Sequence, residues 1–202
     1  MKKAILTGTM AALILVSGCS GHPDRAAHRE DNYTPVNSIS ESERTVPAAV
    51  SPESLGGISL GDTLEDVVGL LGEDYTETLV TDEAGYIGED TLELEYKQGI
   101  VVTLGKESKR VIRVEVSSPG FPTYLGIQVG DRASSALVKY KSTFKEAQSR
   151  HDNSTLSGWF HVGDEKVIIF DFDSEDGTRV NGEITPDSAV QEMVLAYWRH
   201  FD

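Results

Sequence analysis

The residues most able to do chemistry in this chain lie in one short run, Asp171-Phe172-Asp173-Ser174-Glu175-Asp176-Gly177. Asp171, Asp173 and Glu175 supply carboxylate oxygens at the first, third and fifth places, which is how a calcium loop begins. Such a loop needs Gly at the sixth place and Glu at the twelfth. Here the sixth is Asp176, Gly177 comes one residue late, the twelfth is Gly182 and Glu183 is the thirteenth. An acidic hairpin turn ending in Asp-Gly accounts for the same residues without a metal. Trp159-Phe160-His161, preceded by His151-Asp152, contains an acid–base side chain, but strand alternation explains it equally. Gly57-Ile58-Ser59-Leu60-Gly61 spells Gly-x-Ser-x-Gly, but the stretch returns as Gly126-Ile127-Gln128-Val129-Gly130 without the serine and reads as a structural turn; His-Glu-x-x-His and phosphate-loop patterns are absent from the sequence. No catalytic residue is assigned, and the chain is read as a non-enzyme.

The single cysteine of the 202 residues is Cys19. With one thiol there is no intramolecular disulfide and no thiolate metal site. Two lysines, an apolar run and Val16-Ser17-Gly18-Cys19 follow one another at the N-terminus, the layout of a secretory signal. The last four residues resemble the lipobox of bacterial lipoproteins. That resemblance implies cleavage before Cys19, a diacylglycerol and acyl (palmitate-type) lipid on its sulfur and amine, and an extracytoplasmic, membrane-anchored protein of the cell envelope. No other cofactor is expected.

Removal of residues 1–18 takes Lys2 and Lys3 away and leaves 16 basic against 33 acidic side chains, a formal charge of −17. That sign opposes nucleic acid, because phosphate contacts would be repulsive. It favours basic protein partners, cations, or plain solubility. Residues 20–54 carry four of the seven prolines, one aromatic and no sustained period. They cannot bury enough apolar surface to offset ordering. They read as a disordered tether of about 30 Å root-mean-square span.

The elements that would position any site begin at Leu55. Asp62-Thr63-Leu64-Glu65 reads as a capping box with Asp62 as N-cap. Leu64, Val67, Val68 and Leu71 then fall on one helical face over 63–71. Strands follow at 91–96, 100–105 and 110–117, with Arg113 and Glu115 on the polar side of the last. Sixty-nine residues after Gly57, Ile58, Gly61 and Asp62, the same residues return as Gly126, Ile127, Gly130 and Asp131. Ala133, Ala136, Leu137 and Tyr140 then repeat the helix face, and strands are expected at 158–162, 166–172 and about 179–184. Val190, Met193, Val194, Tyr197, Trp198 and Phe201 form the stripe of a C-terminal helix opened by Thr185-Pro186-Asp187.

The expected fold is therefore α+β: two helix-plus-three-stranded-meander repeats sharing an antiparallel sheet, plus a C-terminal helix. Its segments are 1–18 (signal), 19–54 (lipidated cysteine and tether), 55–118 (first repeat), 119–186 (second repeat) and 187–202 (helix). The G-I-x-Φ-G-D pattern (Φ, apolar) with its following helix resembles a unit found in the small lipoprotein of the outer-membrane β-barrel assembly machine. It is also similar to the tandem β-lactamase inhibitor protein and to units of Gram-positive envelope lipoproteins. The resemblance covers about 55–186. It implies a scaffold that binds proteins through a sheet face and loops, but no contact residues transfer.

Two loops are candidate contacts: residues 82–90, with Tyr86, and the 119–124 link, with Phe121 and Tyr124, which could equally pack between the repeats. The function expected is a lipid-anchored, extracytoplasmic protein-binding module. The alternative is a small-ligand or cation-binding (calcium) envelope lipoprotein.

Overall fold

A computed structural model describes residues 51–201. The signal, Cys19 and residues 20–50 of the expected tether lie outside the described residues. Residues 51–54 belong to the folded part: Ser54 is fully buried, and the Glu53 carboxylate pairs with Lys166. The fold thus begins before Leu55.

The elements run β1 (Ser54–Leu55), β2 (Ile58–Ser59), α1 (Leu64–Leu71), β3 (Tyr75–Val80), β4 (Thr91–Tyr96), β5 (Ile100–Gly105) and β6 (Val111–Val116), then α2 (Ala133–Lys141), β7 (Lys145–Gln148), β8 (Thr155–Gly163), β9 (Lys166–Asp171) and β10 (Glu192–Tyr197). Short 3-10 turns occupy Ser174–Asp176 and Trp198–Phe201. β1 and β2 pair as a small ribbon. The other strands form one antiparallel sheet in the order β3-β4-β5-β6-β10-β9-β8-β7.

This sheet overturns the expected architecture of two helix-plus-three-stranded-meander repeats with a C-terminal helix. Among the described residues eight strands make a single sheet, the helices are two and short, and the expected C-terminal helix is β10. The stripe through Val190, Met193, Val194 and Tyr197 has helical spacing, yet the segment is a short continuous apolar run. Periodicity cannot separate a buried helix from a central strand in such a run. The sheet supplies the missing information. β10 lies between β6 and β9, pairing Val194 with Glu115 on one side and with Ile169 on the other. Met193 and Leu195 enter the main core, while Val194 and Ala196 enter a second cluster on the opposite face. A strand covered on both faces has no reason to alternate.

β3 and β7, both unexpected, are the two edges of the sheet. Edge strands bury little, so their hydrophobic pattern is faint: β3 is exposed along most of its length. The strand expected at 179–184 does not form. The Asn181 side chain occupies the place instead, accepting from Phe172 N–H at 2.8 Å and donating to the carbonyls of Ser157 (2.9 Å) and Phe170 (2.8 Å). Gly158 leaves the room for it, since a Cβ there would sit 2.8 Å from the Phe170 carbonyl oxygen.

Both helices pack into the main core. α1 contributes Val67, and α2 contributes Ala133, Ala136 and Tyr140, against Leu94, Val102, Val114, Phe160 and Phe170. The capping box of α1 lies one residue later than expected. Thr63 is the N-cap: its Oγ1 accepts from Asp66 N–H at 3.2 Å, and Asp66 accepts from Thr63 N–H at 2.9 Å. α2 has Arg132 at its N-cap position, with no side-chain capping bond. Asp62 and Asp131 are therefore not caps. Each closes the turn before its helix, accepting from Ser59 N–H at 2.8 Å and from Gln128 N–H at 3.0 Å respectively.

Candidate interaction surface

The face of the sheet away from the helices is divided in character. Strand pairing aligns Glu93, Thr103, Arg113, Ala196, Val167 and His161 in one row across it. The next row brings Glu95, Val101, Glu115, Val194, Ile169 and Trp159 together. The β8–β9–β10 half is apolar and covered. Trp159 meets Trp198 and Phe201 edge-on, with ring centroids 5.9 and 5.0 Å away, and donates its indole N–H to the Arg179 carbonyl at 2.7 Å. His161 is also packed here, edge-on against Trp198 at 5.6 Å.

The centre of the face carries a charged cluster. Arg113 lies 3.6 Å from Glu93 and 3.8 Å from Glu115. Arg179 bonds Glu115, and its Nε stands 3.7 Å from Glu192. Burial raises the Glu192 carboxyl above its ordinary range, Glu115 and Asp171 add repulsion, and Arg179 opposes the shift. Asp171 is raised by burial first, with Asp176 and Asp173 adding to it. The Thr103 hydroxyl is buried beneath the cluster without a hydrogen-bond partner. Chemically the cluster is a brace: Arg179, outside the sheet, is tied to carboxylates on β6 and β10.

The third region is the β3 end of the sheet. The loop from Thr81 to Asp90 is held by its own acids. Asp82 accepts from the N–H groups of Tyr86 (3.1 Å), Ile87 (3.0 Å) and Gly88 (2.7 Å). Glu89 accepts from Ser108 N–H at 2.9 Å and from Glu107 N–H at 2.6 Å, and Asp90 meets Lys106 at 3.1 Å. Bonds from Ser108 hold the Glu89 carboxyl below its usual range, and the Lys106 bond does the same for Asp90. His200 reaches this loop from the C-terminal turn. Together they bound a cavity of about 380 Å³ lined by Val80, Asp82, Glu83, Tyr86, Ile87 and His200, among others. Burial lowers the His200 imidazole, and Arg199 and Arg113 push the same way.

Large apolar side chains are exposed around this region: Leu79 at 51 %, Val80 at 40 % and Tyr86 at 68 %. Tyr86 therefore stands where a partner contact could be made, and Tyr124 is also exposed, at 46 %, on the 119–127 link. Phe121, at 3 % exposure, is a core residue, the packing role that the 119–124 link also allowed it. The scaffold residues lie in two loops of one geometry. Ile58 and Ile127 are buried, Gly57, Gly61, Gly126 and Gly130 all have positive φ, and Asp62 and Asp131 close the turns. Among the described residues no three His, Cys, Asp or Glu side chains gather to hold a metal ion. Asp171 is buried and accepts from Asp173 N–H at 2.9 Å, whereas Asp173 and Glu175 are exposed around the 3-10 turn.

No protein-family model matches this sequence, and comparison with curated proteins returns no match. Among solved structures, the chain is similar to the crystal structure of the uncharacterised protein YfeY from Escherichia coli. The two are 14 % identical, the alignment covers 73 % of this chain and 98 % of that one, and the TM-score is 0.43. A likeness at that level carries no argument. Among the described residues, no helix is long and apolar enough to cross a membrane.

Several residues of this surface escaped the sequence reading. Arg113 and Glu115 were legible as the polar side of a strand, but Arg179 and Glu192 were assigned to other elements, so their meeting was not. A compositional signal was available at the β3 end. Residues 73–96 contain nine Asp and Glu and no Lys, Arg or His.

Proposed function

We propose that this chain is a lipid-anchored, extracytoplasmic protein-binding module without catalytic activity. The observation that carries the binding reading is the grouping of exposed Leu79, Val80 and Tyr86 at the acidic β3 end of the sheet. Large apolar side chains on a strongly charged surface cost solubility unless a partner covers them. Aromatic side chains at such places dominate binding energies. The lipobox-like Val16-Ser17-Gly18-Cys19 supports the anchor, since two acyl chains suffice for stable attachment.

The test is site-specific photo-crosslinking in intact envelopes, with the probe at Tyr86 and, as a control, at Val138, which is 68 % exposed on α2. A discrete protein adduct at 86 and none at 138 is expected. Equal labelling at both positions, or none at 86, overturns the reading. Labelling of Cys19 with an alkyne fatty acid, lost in Cys19→Ser, tests the anchor separately.

A further inference from the structure

We infer that β3 is the docking edge, and that it takes an extended basic segment of another protein as a ninth, antiparallel or parallel strand. This rests on the protein-binding reading above and specifies its mode and the chemistry of the partner.

The two edges of the sheet are built differently. β7 has four residues, starts at Lys145, and is broken by a register shift between Glu146 and Gln148. Shortness, a bulge and a lysine are the usual defences of an edge against unwanted pairing. β3 has none of them. Its six residues pair with β4 in unbroken register from Tyr75–Tyr96 to Val80–Thr91, and its sequence YTETLV holds no Lys and no Pro. Among the described residues no strand pairs with its outer side. An open, regular edge presents backbone N–H and C=O groups to an incoming strand, and alternate side chains add specificity.

Charge decides what can come. The 24 residues from Glu73 to Tyr96, which include β3, its loop and β4, hold nine carboxylates and no basic side chain; of these Asp74, Asp90 and Glu93 are met by Lys97, Lys106 and Arg113. A second copy of this edge would bring a like-charged surface against it, which is unfavourable. A segment with Lys or Arg alternating with apolar residues is complementary. The cavity at the end of β3 fits this occupant: Val80 and Ile87 offer apolar wall for a lysine or arginine stem, and Asp82 and Glu83 line the same space. Long basic side chains commonly bury the stem and keep the head near charge or water.

The experiment uses the full chain and three ten-residue peptides: one alternating Lys with Val and Thr, the same peptide with Glu for Lys, and the Lys peptide N-methylated at alternate residues. Hydrogen exchange is read by mass spectrometry. With the Lys peptide, exchange across 75–80 is expected to slow at least tenfold while 145–148 is unchanged. The Glu and N-methylated peptides should give no protection, and Val80→Lys should weaken binding at least tenfold. No binding of the Lys peptide at millimolar concentration, binding without protection of 75–80, or equal binding of the Glu peptide overturns the inference. Concentration-dependent protection of 75–80 without peptide would also overturn it, by making a second copy the occupant. An adduct at Tyr86 in envelopes with no peptide effect here would sink the strand mode alone. Loss of both would sink the binding reading as well.

Discussion

Asp62 and Asp131, sixty-nine residues apart, hold the same turn by the same bonds. Each carboxylate accepts the N–H of the residue three places before it, at 2.8 and 3.0 Å. Each backbone carbonyl accepts from a valine N–H, Val111 and Val190 respectively, at 2.8 Å. The glycine before each aspartate donates back to the same valine, Gly61 to Val111 and Gly130 to Val190, again at 2.8 Å. Two loops far apart in sequence are thus pinned to chain segments that lead into strands.

The twin glycines should respond alike. Gly61 and Gly130 have φ of 95° and 93°, with no atom within 4 Å of a built Cβ, so an alanine there meets backbone strain and no clash. Gly61→Ala and Gly130→Ala are each expected to cost about 1–3 kcal/mol. Gly69, exposed in the middle of α1 with open space at its Cβ, should behave oppositely: Gly69→Ala stabilises by about 0.5–1 kcal/mol. Urea unfolding of the three variants checks both signs.

β10 is a central strand, and its side chains should be worth what core side chains are worth. Met193 and Leu195 are fully buried. Met193→Ala and Leu195→Ala are expected to lose about 2–5 kcal/mol each. Hydrogen exchange offers the sharper check. The amides of 192–197 should be among the slowest in the protein, since strands β6 and β9 cover both edges of β10.

Asn181 substitutes for a stretch of backbone. Its amide satisfies the Phe172 N–H and the Ser157 and Phe170 carbonyls. Asn181→Ala leaves these groups unpaired and should cost about 1–3 kcal/mol. Asn181→Asp keeps the acceptor and loses both donors, so it should recover little. Thermal melts of the two variants decide the point.

The charged cluster gives a pH signature. Asp171 and Glu192 are raised by burial above their ordinary values of 3.8 and 4.5. Between those ordinary values and the raised ones the folded chain keeps protons that the unfolded chain has released. Their contribution to stability is therefore fully present below the ordinary values and is lost as pH rises through the raised ones. Asp66, Glu89, Asp90 and Asp152 are lowered by hydrogen bonds and act with the opposite sign, but below the ordinary carboxylate values. Asp171→Asn and Glu192→Gln should thus help more at pH 7.5 than at pH 5. Melting temperatures of wild type and variants across pH 4.5–8 test this. A constant offset between them at every pH would refute it.

Much of the local structure was legible because it is decided by neighbours in the chain. Helix α1 follows from an apolar face, a cap and Gly72, although the cap is Thr63 and not Asp62. Strands β4, β5 and β6 follow from β-branched and alternating residues, and the two G-I-x-Φ-G-D stretches mark two copies of one turn. The candidate surface was less legible. Tyr86 is legible as a loop aromatic, but the exposure of Leu79 and Val80 and the place of His200 are not, because they depend on which strand is left at an edge. Phe121 reads the same in sequence whether it packs or protrudes, and only the core around it decides.

The sequence by itself determined the acidic balance, the lone Cys19 behind a signal-like run, the turn residues and the strands with a clear two-residue period. These depend on side-chain chemistry and local backbone preference alone. Tertiary structure decided that residues 192–197 are a strand, that β3 and β7 are edges, and that Arg179 braces Glu115. Each of these is a pairing between segments distant in the chain. A run such as Met193-Val194-Leu195-Ala196 can bury itself as helix or as central strand, and the choice falls to the sheet that has β6 and β9 ready to bond it on both sides.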